Sequence, residues 1–359
     1  MAIQKIVIQE FLQLAKNNLV LDVRSPGEYL HAHIPEARSL PLFTDEERKV
    51  VGTDYKQQSR KKAIKTGLDF FGIKMRGIVE EVERLLSSLM KGSAKETQPC
   101  ILVHCWRGGM RSAGVAWLLD LYGFKVYTLA GGYKAYRAWA RTQFDKPYNL
   151  SVLGGYTGSG KTLVLQELKQ TGYRIIDLEG LANHKGSAFG ALGENPQPSQ
   201  ETFENLLAQK LAEFSAATNG VEEIFIEDES QRIGVLNIPN SFWQQMRKSP
   251  VLFLDIPFDD RLNYLTEEYG KFDKANIVNA IMRIQKRLGG LETKLAINYL
   301  LENNHRECFR ILLTYYDKYY EKGLHNRENL PALLNKIVCI NGNIKNNTQK
   351  LIDEKAISE

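Results

Sequence analysis

The chain has 359 residues, with 47 lysines and arginines against 42 aspartates and glutamates and a formal net charge of +5. One core rarely grows beyond ~250–300 residues, so two domains are expected, and 43% hydrophobic with 25% charged residues is ordinary for a soluble globular protein. No apolar run approaches the ~18–20 residues that span a bilayer, and so mild a charge identifies no partner by itself.

The opening "MAIQKIVIQEFLQLAKNN" reads as a short strand and an amphipathic helix. It has neither the long apolar core nor the small-residue cleavage site of a signal peptide, and a cytoplasmic protein is expected. "LVLDVRS" (19–25) reads as a buried strand ending in polar residues, and "GIVEEVERLLSSLM" (77–90) as an amphipathic helix with apolar residues three and four apart. "ILVHC" is the next strand, followed by "KVYTLAGGYKAYRAWA", a strand, a Gly-Gly turn and a helix. Strands alternating with helices predict a mainly parallel α/β sheet over residues 1–143. Residues 144–149, within "TQFDKPYN", read as a linker. Over 150–359 the pattern restarts with strand "LSVLGG", a glycine-rich turn and helix "KTLVLQELKQTG"; "YRIIDLEG", "EEIFIEDES" and "SPVLFLDIP" are further strands. From about residue 260 the chain reads as mostly helical. The expected fold class is α/β, two α/β domains with a helical, basic C-terminal part.

Two turns carry chemistry. "HCWRGGMRS" (104–112) stands between a buried strand and a helix, which places the Cys105 sulfur at a helix N-terminus, where N–H groups and the dipole favour the thiolate. Arg107 and Arg111 should strengthen that effect, and a thiolate ringed by the donors of Gly108, Gly109 and Ser112 suits nucleophilic attack on an anionic donor. His104 reads as a residue that orients the loop or fills the core. The other cysteines, Cys100, Cys308 and Cys339, form no metal-ligand spacing and read as small core hydrophobes.

The second turn, "GYTGSGKT" (155–162), fits G-x-x-x-x-G-K-[ST] directly after a strand and opening a helix. Gly155, Gly158, Ser159 and Gly160 would let backbone N–H groups cradle phosphate oxygens, Lys161 would add a point charge on the outer phosphates, and Thr162 has the hydroxyl to ligate Mg²⁺. In "IFIEDES" (224–230), Glu227 or Asp228 is placed as a Walker B acid would be, to meet a metal-bound water. The loop recognises a di- or triphosphate and does not say which ester carries it.

"LDVRSPGEYLHAHIPEA" (21–37), with Cys105, resembles the rhodanese family, with Ala32 where that family usually has glycine. A second departure is the spacing: five residues, Trp106 to Met110, separate Cys105 from Arg111, where sulfur-transferring rhodaneses have four. That is the spelling of the related phosphatases, and the wider loop should accommodate a tetrahedral oxyanion. The whole chain resembles the tRNA 2-selenouridine synthase family, through the two turns together with "LFTDEERKVVGTDYKQ" (42–57), "DLEGLANHKGSAFG" (177–190) and "FIEDESQRIG" (225–234). The resemblance implies a transferase that replaces the sulfur of 2-thiouridine at the wobble position of tRNA with selenium, through an S-geranyl intermediate. It implies geranyl diphosphate at the phosphate loop and selenophosphate at the cysteine loop, as co-substrates and not as a tightly bound cofactor. Cys105 would then either accept selenium as a perselenide or assist its release. His184, Lys185, Ser187 and Arg232 lie in the matching segments and carry groups suited to phosphate or base contact; ordinary loop structure is an equal reading.

Between Lys271 and Lys350 fourteen basic residues face seven acidic ones, interleaved with Tyr315, Tyr316, Tyr319 and Tyr320. A solvated helical face is the general reading of such a run; with the family resemblance, a tRNA surface gains weight, although most of the tyrosines read as core. Three rivals remain open: an ATP-dependent tRNA sulfurtransferase or kinase, a cysteine-dependent phosphatase, and an RNA-binding protein with a degenerate rhodanese domain.

Overall fold

The computed structural model describes residues 3–90, 100–218 and 222–358. By internal packing the chain divides into two compact units, Met1–Gln143 and Phe144–Glu359.

The first unit runs β1 (Gln4–Ile6), α1 (Ile8–Ala15), β2 (Leu19–Asp22), α2 (Pro26–His31), β3 (Arg38–Ser39), α3 (Asp45–Gln57), α4 (Arg60–Met90), β4 (Ile101–His104), α5 (Met110–Tyr122), β5 (Val126–Leu129) and α6 (Gly132–Gln143). Its sheet has the order β1-β5-β4-β2-β3, and every pairing is parallel. Parallel strands covered on both faces read as continuous apolar runs, and every residue of β2 (LVLD) and β4 (ILVH) is buried. Strand β2 stops at Asp22 because Ser25 and Glu28 form a capping box that, with Pro26, starts α2. The core joins Leu19, Leu21, Ile101 and Val103 to Val115 and Leu119 of α5 and Val82 of α4; each such side chain contributes about 1.5–3 kcal/mol by burial.

The second unit runs β6 (Leu150–Gly155), α7 (Lys161–Gln170), β7 (Arg174–Ile176), α8 (Leu178–Ala182), α9 (Gln200–Thr218), β8 (Ile224–Glu227), β9 (Arg232–Ile233), β10 (Leu236–Asn237), α10 (Asn240–Lys248), β11 (Val251–Asp255), α11 (Phe258–Tyr269), α12 (Lys274–Leu288), α13 (Gly290–Leu301), α14 (His305–His325), α15 (Leu330–Leu333), β12 (Leu334–Val338) and α16 (Ile344–Ser358). Its main sheet, β12-β11-β6-β8-β7, is again wholly parallel, and β9 and β10 form a small antiparallel pair. The mainly parallel α/β class expected from the alternation is the one observed in both units. One element departs from it: within the stretch that reads as helical, Leu334–Val338 is an edge strand in register with Val251–Asp255. Only Ile337 among its residues is fully buried, so the apolar period that betrays a strand is missing.

In both units the strands deliver their C-terminal ends to the glycine turns, which is where open parallel sheets carry their sites. Among the described residues no helix is long and apolar enough to cross a membrane.

Candidate active sites

In the first unit, β4 ends at His104 and α5 starts at Met110, so the Cys105 loop is a strand-to-helix turn. The loop is held from below by the start of α6: the Tyr133 N–H donates to the Cys105 carbonyl (2.8 Å) and the Lys134 N–H to that of Trp106 (3.0 Å). Gly132, at φ +60°, is where the two chains touch, and a Cβ there would overlap the Cys105 carbonyl oxygen and the Gly108 nitrogen. Cys105 is only 3% exposed. Its Sγ accepts from the Gly109 N–H (3.4 Å) and lies 3.3 Å from the Ser112 hydroxyl, which is also 3.1 Å from the Gly109 carbonyl. One hydroxyl proton can serve either acceptor, and a thiolate takes it.

Burial raises the Cys105 pKa, but the Ser112 hydroxyl, the Ser112 and Gly109 backbone and the Arg111 charge outweigh it and bring the thiol below its ordinary value. The other three cysteines go the other way: burial pushes Cys308 up to about 12 and raises Cys100 and Cys339. The sequence assigns the effect to the N–H groups of the helix start, strengthened by Arg107 and Arg111; the structure has the Gly109 and Ser112 backbone and Arg111 acting on the thiol, and puts the Ser112 hydroxyl first. Arg107 is exposed and is not among the groups acting on the thiol. Arg111 is committed to Glu28, its Nη1 donating to Oε2 at 2.7 Å, and Arg48 Nε donates to the same oxygen at 2.8 Å. Burial would raise the Glu28 carboxyl, yet Arg111 above all holds it at about 2. An oxyanion in this loop therefore shares Arg111 with a carboxylate that sequence inspection did not single out. Beside the loop an open cavity of about 320 Å³ is lined by Arg24, Glu28, His31, Asp45, Arg48 and Trp106. Beneath it Arg24 is buried, bonded to both Asp22 oxygens and stacked 3.9 Å over Tyr133. His104 is fully buried with neither ring nitrogen hydrogen-bonded, and burial lowers its pKa. It fills the core as a neutral ring.

In the second unit, Gly155–Thr162 joins β6 to α7, with Gly160 in the left-handed region at the N-cap. Lys161 curls over the turn, its Nζ donating to the Gly155 carbonyl (3.0 Å). Ser159 is 1% exposed and its hydroxyl has no partner among the described residues, so an acceptor inside the turn would satisfy it. The turn is pinned from outside by Arg261 of α11, which donates to the Thr157 carbonyl (3.1 Å) and is held by both Asp317 oxygens at 2.8 Å.

The two acids of "IFIEDES" separate. Glu227 reaches Thr162, whose hydroxyl lies 2.9 Å from both Glu227 and Glu179 of α8. That hydroxyl has one proton to give, so the second contact needs a proton on a carboxyl. Burial, then the charges of Glu179 and Asp177, push Glu227 up to about 8; Glu179 and Glu229 are also raised, chiefly by burial. The three form a proton-holding cluster at the phosphate turn. Asp228 acts on the cluster only through its charge on Glu229. Both of its oxygens are bonded by Arg327 (3.0 and 2.8 Å), and the Tyr320 hydroxyl donates to it at 3.4 Å. The Walker B expectation therefore holds no longer for Asp228: a carboxylate bound bidentately to a buried guanidinium anchors the chain after α14 to the sheet.

The matched loop after α8 is folded on itself. The His184 N–H donates to the Glu179 carbonyl (3.0 Å), and His184 is 8% exposed with Nδ1 unpartnered. Lys185 is paired with Glu194 (3.3 Å) and Glu268 (3.2 Å), and the Ser187 hydroxyl accepts from the Phe189 N–H. Arg232 lies on β9, exposed, and donates to the Gly234 carbonyl. Lys185 and Arg232 thus have local partners, and Gly186 is what abuts the carboxyl cluster, against Glu229. Among the described residues no group of His, Cys, Asp and Glu is arranged to hold a metal ion. Glu179, Glu229 and Arg261 carry no mark in their local spacing, and Tyr320 and Arg327, read from sequence as part of the basic tyrosine-rich run, are instead bonded to Asp228.

Residues 148–346 match the family described as the tRNA 2-selenouridine synthase AAA domain, and residues 7–138 match the rhodanese-like domain. Over 344 residues the chain is 35% identical to the tRNA 2-selenouridine synthase of Hydrogenovibrio crunogenus, covering 87% of this chain and 91% of that one. It is similar to the proteins of the same name from Bdellovibrio bacteriovorus (33% identity; 91% and 94% covered) and from a Sulfurovum species (32%; 87% and 90%).

Proposed function

The chain belongs to the tRNA 2-selenouridine synthase family, and from that premise we propose the chemistry that its two sites divide between them. It is a tRNA-modifying enzyme of transferase type. In this reading the substrate is 2-thiouridine at the wobble position, and residues 150–359 geranylate it. The thiocarbonyl sulfur attacks C1 of geranyl diphosphate, the C1–O bond breaks, the diphosphate leaves onto Lys161 and the Ser159 side of the turn, and the uracil N3 proton is lost. The departing diphosphate, or whichever carboxyl of the Glu179–Glu227–Glu229 cluster is ionised, takes that proton. If a divalent cation accompanies the diphosphate, Thr162 and, once it has released its proton, Glu227 would hold it, and it would supply charge neutralisation on the leaving oxygens.

Residues 1–143 then deliver selenium. Selenophosphate, a tetrahedral anion, suits the five-residue Cys105–Arg111 loop, with Arg107, Gly108, Gly109, Arg111 and Ser112 as its surround. The selenium of selenophosphate adds at C2 and geranyl thiolate, a better leaving group than sulfide, departs; water then cleaves the P–Se bond, releasing inorganic phosphate and leaving 2-selenouridine with its N3 proton restored. The observation that carries the reading is the coexistence of a lowered-pKa cysteine in an oxyanion-sized loop and a complete phosphate turn in one chain.

The test incubates 2-thiouridine tRNA with geranyl diphosphate and selenophosphate and analyses nucleosides by mass spectrometry. Lys161→Ala should block geranylation; Cys105→Ala should leave geranylation and stop selenation. Loss of geranylation alone in Cys105→Ala would overturn this division, and a strict requirement for ATP would favour the sulfurtransferase rival.

A further inference from the structure

Helix α14 has two faces with different chemistry. One closes over the phosphate turn: Asp317 holds Arg261, and the Tyr320 ring lies 5.3 Å from Lys161 Nζ. The other carries Tyr315, Lys318, Tyr319 and Lys322, spaced i, i+3, i+4, i+7 and so aligned in one stripe. Beside it α12 presents Arg283, Lys286 and Arg287, an i, i+3, i+4 stripe. The two stripes meet. The Arg287 guanidinium lies 5.6 Å over the Tyr319 ring, and the Tyr315 and Tyr319 rings stack at 6.3 Å with 20° between their planes.

The ladder runs from core to water: Tyr315 is half-buried against the helical core and Tyr319 stands outside it. Tyr319 is 53% exposed, whereas its neighbours Tyr316 and Tyr320 are turned to Phe189 and to Asp228. Arg283, Lys286, Arg287, Lys318 and Lys322 are all exposed, and among the described residues none of them is within ion-pair distance of a carboxylate. The acids nearest in sequence are engaged elsewhere: Asp317 on Arg261, and Glu321 acting on Tyr156 and Lys336. Five unneutralised cations around a pre-stacked aromatic pair make a surface complementary to an unpaired polyanion with planar bases.

We propose that this face of α12 and α14 binds an unpaired stretch of RNA, with Tyr319 stacking on a splayed base and the five cations on the flanking phosphates. The proposal rests on the tRNA reading above and adds to it a place. The face lies on the far side of the helix that covers Lys161, roughly 10–12 Å away across one helix diameter, about three stacked nucleotides at roughly 3.4 Å each. A loop gripped here would have a neighbouring nucleotide within reach of the phosphate turn.

The experiment measures binding of the full chain to an RNA stem–loop, to the same stem closed as a blunt duplex, and to bulk tRNA, by fluorescence anisotropy over a salt series. Tyr319→Ala should weaken stem–loop binding about five- to a hundred-fold, Tyr319→Phe should retain it, and the duplex should bind weakly to all three proteins. Lys318→Ala with Lys322→Ala should flatten the salt dependence by about one to two contacts, while Lys248→Ala, an exposed lysine on α10, should not. Diphosphate binding should be the same in every variant. If the wild type binds the stem–loop and Tyr319→Ala, Arg287→Ala and the double lysine variant bind it as tightly, this surface is wrong and the tRNA reading stands. If the wild type binds no tRNA, the functional reading fails first. If Tyr319→Ala changes the mass in light scattering but not RNA affinity, the face pairs copies of this chain and the proposal is overturned.

Discussion

Replacing Asp228 by alanine should unfold the second unit at markedly lower temperature, because it strands Arg327. The Arg327 side chain is 0% exposed and Asp228 is 9% exposed, with two hydrogen bonds of 3.0 and 2.8 Å between them. Removing one partner of a buried pair leaves an uncompensated charge, a loss of about 3–5 kcal/mol. The Tyr320 hydroxyl keeps the Asp228 backbone carbonyl as its acceptor at 3.3 Å, so it adds no further loss. In a unit of this size each kcal/mol moves the midpoint by about 2–4 °C, so the transition should fall by about 6–20 °C. Thermal unfolding followed by circular dichroism and calorimetry measures this, with the double variant Asp228→Ala, Arg327→Met as the control. Once the guanidinium is gone, most of the loss should be recovered. Were Asp228 instead a metal-positioning acid, Asp228→Ala would melt within about 2 °C of the wild type while losing transfer activity, and that result would refute the structural role argued for it.

Alkylation of Cys105 by iodoacetamide, followed against pH, should show a midpoint below that of an ordinary thiol; Ser112→Ala should move it up and Arg107→Ala should leave it in place, since Ser112 acts on the sulfur and Arg107 does not. Glu227 has its pKa raised from 4.5 to about 8 in the folded chain. The folded state thus holds a proton that the unfolded state releases, and stability should fall as pH rises from about 4.5 to 8. Glu227→Gln should flatten that slope in melts taken across the window; an unchanged slope would remove Glu227 from the proton-holding cluster. Gly132→Ala, at φ +60° and against the Cys105 carbonyl, should cost upwards of about 1–3 kcal/mol and abolish the enhanced thiol reactivity while leaving diphosphate binding intact, which isothermal titration with inorganic pyrophosphate would check.

Both turns were legible because their chemistry is local. "HCWRGGMRS" and "GYTGSGKT" each place a reactive side chain, glycines and a helix start within nine residues, so spacing alone specifies the backbone. The alternation of buried strands with helices was legible for the same reason, up to β12, which has a single buried position and no period to read.

What surrounds the two turns is another matter. Glu28 stands 83 residues before Arg111, Glu179 lies 48 before Glu227, and Arg327 lies 99 after Asp228. Each pair decides what its partner can do, and each is made by the sheet and its covering helices. From sequence Glu227 and Asp228 are adjacent and interchangeable acids. Consecutive residues at a strand end point to opposite sides, so one meets Thr162 and holds a proton, and the other meets Arg327 and holds the fold. In the same way Tyr319 and Tyr320 are neighbours along the chain, yet α14 turns one to water beside Arg287 and the other toward Lys161. The sequence determined where a thiolate and a diphosphate can be held; only the tertiary packing decided which charges remain free to act on them.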